Sequence, residues 1–316
     1  MSTTNLSFSL LFSNLIGLFS LIGVGFLLVR VNLIPASASG SMTALLMKVT
    51  LPASIFSSMI RPFDMGFFRD AVVIFFIGFG FFLGYAGLSW LLSRLFRVPK
   101  GRRGMWMECC TFCNNGFMGF PVAYAIFGDE GLALAVILGI SFNLLIYTLG
   151  AKMVALDQPE GGQAPQVSWS KVMFSVINFT IVLSLLFYCF QIPVPAAVFT
   201  PIQHLANVTT PLSMLITGMN LAESRLSDVI FDRDAITASF VRLLVFPILT
   251  WALLRLLPVS NPLVLGVTLI IMSMPSAAVS VAMGEQYNGC TELGARAVFL
   301  SSLLCIVTIP MISLLL

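Results

Sequence analysis

Cys113-Asn114-Asn115-Gly116-Phe117-Met118-Gly119-Phe120-Pro121 lies inside an apolar run about as long as one bilayer crossing, and its reading decides the fold. Two amides, two glycines and a proline sit where a spanning helix would carry only apolar side chains. Glycine gives up the most backbone entropy in a helix, and proline lacks a donor and collides with the preceding turn. A break facing lipid would leave backbone groups unpaired in hydrocarbon, at several kcal/mol each. The break must therefore be packed in protein or line a watery cavity. A second apolar run is interrupted in the same way at Met272-Ser273-Met274-Pro275-Ser276. Paired interruptions in the two halves of a membrane chain point to a transporter's binding site.

The surrounding composition agrees. Of 316 residues 58% are hydrophobic and 9% charged, with a mean hydropathy of +1.01, whereas a soluble domain carries about 25% charge. The chain reads as an all-α integral membrane protein. Ten stretches have spanning length, at 6–30, 40–60, 70–95, 104–127, 131–155, 171–191, 198–220, 234–257, 262–284 and 292–315. The first lacks a basic leader and a small-residue cleavage site and reads as a span, not a signal peptide. Cys110 and Cys113 form a CxxC with no second pair and no nearby histidine, so no metal site and no cofactor is expected. The six cysteines read as small buried hydrophobes.

The polar stretch around Asp157-Gln158-Pro159-Glu160 divides the chain into residues 1–156, a cytoplasmic linker at 157–170, and residues 171–316. The halves echo each other. Val49-Thr50 matches Val208-Thr209, Arg69-Asp70-Ala71 matches Arg233-Asp234-Ala235, and Phe127-Gly128 matches Met283-Gly284, at offsets of 159, 164 and 156 residues. Five spans per half is odd, so the halves must be inverted relative to each other, a 5+5 inverted repeat. With the N-terminus outside, inner loops and span ends carry ten Lys and Arg against three on the outer side, which places both termini outside a multi-pass cell-membrane protein. The formal charge of +3 then reflects topology, not nucleic-acid binding.

If each broken helix restarts at its proline, the restart exposes unpaired N–H groups and the positive end of a helix dipole near mid-bilayer. Two such ends make an anion site without a cationic side chain. The candidates are Asn114, Asn115, Gly116, Gly119 and Pro121 in the first break, and Ser273, Met274, Pro275 and Ser276 in the second. Asn143 and Tyr147 share a helix face and fit either a pocket wall or an interhelical hydrogen bond. Lys48, Glu108 and Arg242 fall within spans. They either face a cytoplasmic vestibule and serve substrate entry or coupling, or they snorkel and pair structurally. His204 fits an interfacial position better than a proton relay. One histidine and no paired acidic motif within a span give no support to an intramembrane metalloenzyme, so the chain is not read as an enzyme.

These residues carry a resemblance. Asn114-Asn115-Gly116-Phe117-Met118-Gly119-Phe120-Pro121, followed by Phe127-Gly128, resembles the Asn-x-x-x-Met-Gly-x-Pro segment of the auxin efflux carrier family. Met274-Pro275-Ser276-Ala277-Ala278-Val279 resembles the matching segment of that family's second half. The likeness covers essentially the whole chain. It implies ten transmembrane helices, two crossing discontinuous helices, and a transport part moving against a scaffold part. It also implies that Asn114 and the backbone around Pro121 and Pro275 hold a substrate carboxylate. The function so implied is alternating-access transport of a small organic anion, an auxin-like monocarboxylate or a dicarboxylate such as malate or malonate. Plant members have Pro where this chain has Cys113, and Gln and Pro where it has Ser276 and Ser280, so auxin itself is not carried over. A sodium-coupled symporter of the bile-acid type and a non-transporting membrane sensor stay open as alternatives, as do proton coupling and a homodimer.

Overall fold

The computed structural model describes residues 3–158, 176–223, 229, 231–259 and 261–315, with side chains from residue 16 onward. Most of the expected linker, together with Lys171 and Arg225, lies outside the described residues. Helix is found in each of the ten apolar stretches. The helices are Thr3–Arg30, Ala38–Met59, Met65–Leu95, Arg103–Thr111, Asn115–Ala155, Val176–Phe190, Ala196–Glu223, Arg233–Leu254, Pro262–Met272, Ser280–Gln286 and Thr291–Ser313. Five of them are long and apolar enough to cross a bilayer: Ala38–Met59, Met65–Leu95, Asn115–Ala155, Arg233–Leu254 and Thr291–Ser313. Val176–Phe190 and Pro262–Met272 are shorter and apolar.

Local chemistry sets the ends. Asp64 accepts from the amides of Gly66 and Phe67 at 3.1 and 3.0 Å and so caps Met65–Leu95. Asp232 caps Arg233–Leu254 through the amides of Asp234 and Ala235, and Asn261 caps Pro262–Met272 through Leu263. Inside Asn115–Ala155 the chain turns at Gly128, whose φ of 68° is a backbone state glycine adopts freely. That turn separates the expected fourth and fifth stretches. Three π-helical turns, Leu46–Thr50, Asn115–Gly119 and Val241–Val245, each precede a proline by two residues (Pro52, Pro121 and Pro247). Proline offers no N–H to the carbonyl one turn back, and the widened turn absorbs the mismatch without ending the helix.

The chain forms two compact units, and neither follows a sequence half. The first comprises Met1–Val73, Gly116–Ile137 and Trp169–Glu223; the second comprises Ile74–Asn115, Leu138–Ser168 and Ser224–Leu316. In the first, Thr3–Arg30 packs along Ala196–Glu223, which also meets Ala38–Met59, and the latter meets Val176–Phe190. The approach of the first two is close. A Cβ on Gly25 would lie 2.1 Å from the carbonyl oxygen of Leu215, and one on Gly218 would lie 2.0 Å from that of Ile22. Small residues let membrane helices touch backbone to backbone. Tyr188 adds an aromatic corner, bonding Asp64 through its hydroxyl and packing on Phe63 and Phe67.

In the second unit Arg103–Thr111 packs against Arg233–Leu254, Ser280–Gln286 and Thr291–Ser313. Phe82, Phe112 and Phe142 form a ring cluster with centroids 5.6–5.8 Å apart, and Tyr85 stacks on Phe246 at 4.0 Å. Large apolar side chains on one side of Met65–Leu95 remain exposed, among them Phe68, Val72, Phe76, Leu83 and Leu91. A stripe of that size suits lipid and not water.

Candidate functional site

Both interruptions are present, and they are bound to each other. Helix Arg103–Thr111 stops as Phe112 turns extended (φ −100°, ψ 134°), and Pro262–Met272 gives way to irregular backbone until Ser280. Between them Cys113 and Ser276 form an antiparallel bridge. The Asn114 amide donates to the Pro275 carbonyl at 2.7 Å, and the Ala277 amide donates to the Phe112 carbonyl at 3.1 Å. Each break thus supplies hydrogen-bond partners for the other, which is how irregular backbone is tolerated at membrane depth.

The restart points differ from the expectation. The first helix resumes at Asn115, six residues before Pro121, and the second resumes at Ser280, five residues after Pro275. Pro121 fits inside the helix because the π turn before it takes up the mismatch. Pro275 fits in the irregular stretch because there its missing donor is not needed and its carbonyl is the one Asn114 uses.

The remaining orphan carbonyls converge on Arg242. Its side chain is fully buried. Nε donates to Met274 O at 2.9 Å, Nη1 donates to Cys110 O and Thr111 O at 3.2 Å each, and Nη2 donates to Met272 O. These carbonyls close the C-terminal ends of two half-helices, where the dipole is negative, so one guanidinium satisfies hydrogen bonds and neutralises two dipoles together. The Tyr85 ring lies under it at 5.9 Å. Two serines complete the frame: Ser276 Oγ donates to Cys109 O at 2.8 Å, and the Ser276 amide donates to Ser301 Oγ at 3.1 Å.

Asn114, Asn115, Ser273, Met274, Pro275 and Ser276 are therefore gathered in one buried place of the second unit, all of them buried. Asn115 Oδ1 has no hydrogen-bond partner among the described residues, and Ser273 Oγ bonds back to Leu269 O. Gly116, Gly119 and Pro121 follow on the resumed helix and fall in the first unit. Gly116 has open space where a Cβ would stand. Asn143 and Tyr147 are half-buried in the second unit, Tyr147 within a π turn at Ile146–Gly150.

The three charges within spans have different surroundings. Lys48 is exposed on the first unit, while Glu108 and Arg242 are buried in the second. Neither carboxylate oxygen of Glu108 makes a hydrogen bond of ordinary geometry among the described residues, although the Ser280 and Cys109 side chains adjoin it. His204 is exposed on Ala196–Glu223. Cys109, Cys110, Cys113 and Cys305 are buried as expected, but Cys189 is exposed and Cys290 half-buried.

Sequence reading did not find Ser301, Tyr85 or Asp157. Asp157 reaches back from the linker to accept from the amides of Gly104 and Met105 at 2.7 and 2.8 Å, starting the helix that ends at the break. Burial raises its carboxyl above the ordinary value against those two bonds. No motif marks these residues, because each acts across twenty-five or more positions of chain. Asp232 was nearer to hand: an Asp directly before Arg233-Asp234-Ala235 is a capping signal. It also binds Arg102 at 2.6 Å and Arg296 at 2.7 Å.

An all-helical chain with membrane-spanning helices and two mutually bonded helix breaks defines a multi-pass membrane protein of transporter build. Comparison with known families agrees: the sequence profile described as "Membrane transport protein" matches residues 10–171 and 165–313, and the chain belongs to this family, that of the auxin efflux carriers. An uncharacterized transporter of Methanothermobacter thermautotrophicus is 25% identical over 94% of this chain and 95% of its own length. Another, from Methanocaldococcus jannaschii, is 26% identical over 83% and 85%. The "putative malonate transporter" of Rhizobium meliloti is 22% identical over 92% and 91%.

Proposed function

We propose that this protein is a secondary carrier for a small organic anion, working by alternating access around the paired breaks. On this reading the two halves are a 5+5 inverted repeat of ten spans, the broken helices cross, and both termini face outward. One observation carries it: the Asn114 amide on the Pro275 carbonyl, which joins two interruptions 161 residues apart in the chain. A helix begins at Asn115 directly beyond that bond, so its positive end and the Asn114 and Asn115 side chains suit a carboxylate. The Rhizobium relative's name makes a short dicarboxylate the first substrate to try.

The same geometry weighs against sodium coupling. Carbonyls at half-helix C-termini are the groups that coordinate sodium in other carriers. Here four of them hold the Arg242 guanidinium. Uptake of labelled malonate, malate and indole-acetate into proteoliposomes, with and without sodium, tests both statements. Saturable uptake of one acid, unchanged by sodium, is the expected result. Binding without uptake would identify a sensor instead.

A further inference from the structure

Glu108 has no task in the scheme above, and its position is unusual. It sits one helical turn before the break, and its backbone carbonyl accepts from the Phe112 amide. The side chain is fully buried, and among the described residues no hydrogen bond of ordinary geometry reaches either carboxylate oxygen. Ser280, at the restart of the second broken helix, is its side-chain neighbour. Ser280 is also fully buried. Two buried polar groups, one from each broken helix, thus stand side by side next to the breaks.

The charges on neighbouring elements do not neutralise Glu108. On Arg233–Leu254, Arg242 is engaged by break carbonyls, Asp234 pairs with Arg102, and Arg233 is exposed. On Thr291–Ser313, Arg296 pairs with Asp232 and Glu292. Glu285 on Ser280–Gln286 and Lys152 on the last turn of Asn115–Ala155 are exposed, and Arg103 on its own helix donates to Val98 O. The ionisable groups that sense Glu108 are the thiols of Cys109 and Cys110. An ionised carboxylate with no counter-charge is strongly disfavoured in such a place, whereas a neutral carboxylic acid beside a serine hydroxyl is not.

We propose that Glu108 and Ser280 form a proton-binding site of the carrier, rebuilt and broken with the paired helix breaks. With the breaks paired, the carboxylic O–H stays intact, with Ser280 Oγ as its hydrogen-bond partner. When the breaks part on one side, water enters, the O–H bond breaks, and the proton passes to water while its electron pair stays on the carboxylate. This rests on the carrier reading above and adds to it that the acid travels with a proton.

The test uses the full chain in nanodiscs and in proteoliposomes. An infrared difference spectrum on a pH jump, with no substrate, is expected to show a protonated-carboxyl band in the native protein that is absent in Glu108→Gln and displaced in Ser280→Ala. Uptake of labelled malonate and indole-acetate is expected to rise several-fold with an imposed proton gradient in the native protein and to lose that dependence in Glu108→Gln. Identical infrared spectra for native protein and Glu108→Gln would overturn the proton site, as would an unchanged gradient dependence in that variant. If no acid is taken up by any form, the carrier reading fails, and the infrared band still decides the protonation of Glu108.

Discussion

Thr209 donates its side-chain hydroxyl to the backbone carbonyl of Thr50 at 2.7 Å, joining the two matching Val-Thr segments Val49-Thr50 and Val208-Thr209. The pair is not symmetric in its bonding. Both residues are buried, but the hydroxyl of Thr50 has no hydrogen-bond partner among the described residues. Thr209→Val is expected to lower stability by about 1 kcal/mol, the scale of one interhelical hydrogen bond in a membrane. Thr50→Val is expected to be neutral or slightly stabilising, because it removes an unsatisfied group. Thermal unfolding in one detergent decides, and equal losses for both variants would contradict the bonding described.

A close helix contact in the first unit gives one variant, and an open glycine gives its control. Gly218→Ala places a methyl 2.0 Å from a backbone oxygen that cannot swing away, whereas Gly17→Ala meets nothing within 4 Å. The first should destabilise by about 1–3 kcal/mol through overpacking. The second should stabilise by up to about 1 kcal/mol through helix propensity. Both are read from melting temperature.

Arg242→Gln leaves several buried carbonyls without donors, each costing about 1–3 kcal/mol. A loss of about 3 kcal/mol or more is expected. Arg242→Lys should rescue little of it, since an ammonium is a compact point charge and cannot reach four carbonyls in the geometry of a planar fork. Full rescue by lysine, measured by unfolding, would show that charge alone matters there.

Asn114→Ala keeps the backbone amide that bonds Pro275, so the paired breaks should persist and the protein should fold. Uptake of organic acid is expected to fall to background. Native uptake in a well-folded variant would remove the Asn114 side chain from the site.

Asp232 sets an acid limit on stability. Burial pushes its carboxyl up, but hydrogen bonds from Arg296 and Arg102 outweigh that and hold it below the ordinary value. A depressed carboxyl contributes stability that is complete above the ordinary carboxylate value, about 4. That contribution is lost as pH falls through the lower folded value. Asp232→Asn should flatten this acid-side decline in melting temperature, and an unchanged profile would assign the decline to other groups.

Much of this architecture could be read before any coordinates. Helix falls in each of the ten apolar stretches, Gly128 turns where Phe127-Gly128-Asp129 suggests, and both interruptions occur where amides, glycines and prolines crowd together. The resumption points were harder to place. A proline was expected to start each second half-helix, yet a π turn carried the first past Pro121, and the bond to Asn114 kept Pro275 in irregular backbone. The two sequence halves echo each other at a few short segments, but each compact unit draws helices from both of them.

The sequence by itself determined that this chain lives in a bilayer, which stretches are helical and where two of them break, because span length, backbone satisfaction and helix propensity act over one or two turns. Only the tertiary structure decided that Cys113 meets Ser276, that Arg242 closes two half-helices, and that Glu108 is left beside Ser280. Those facts depend on groups more than a hundred residues apart becoming neighbours. Such neighbours are chosen by the need of every buried polar group for a partner, and that need is met by the assembled fold, not by local sequence.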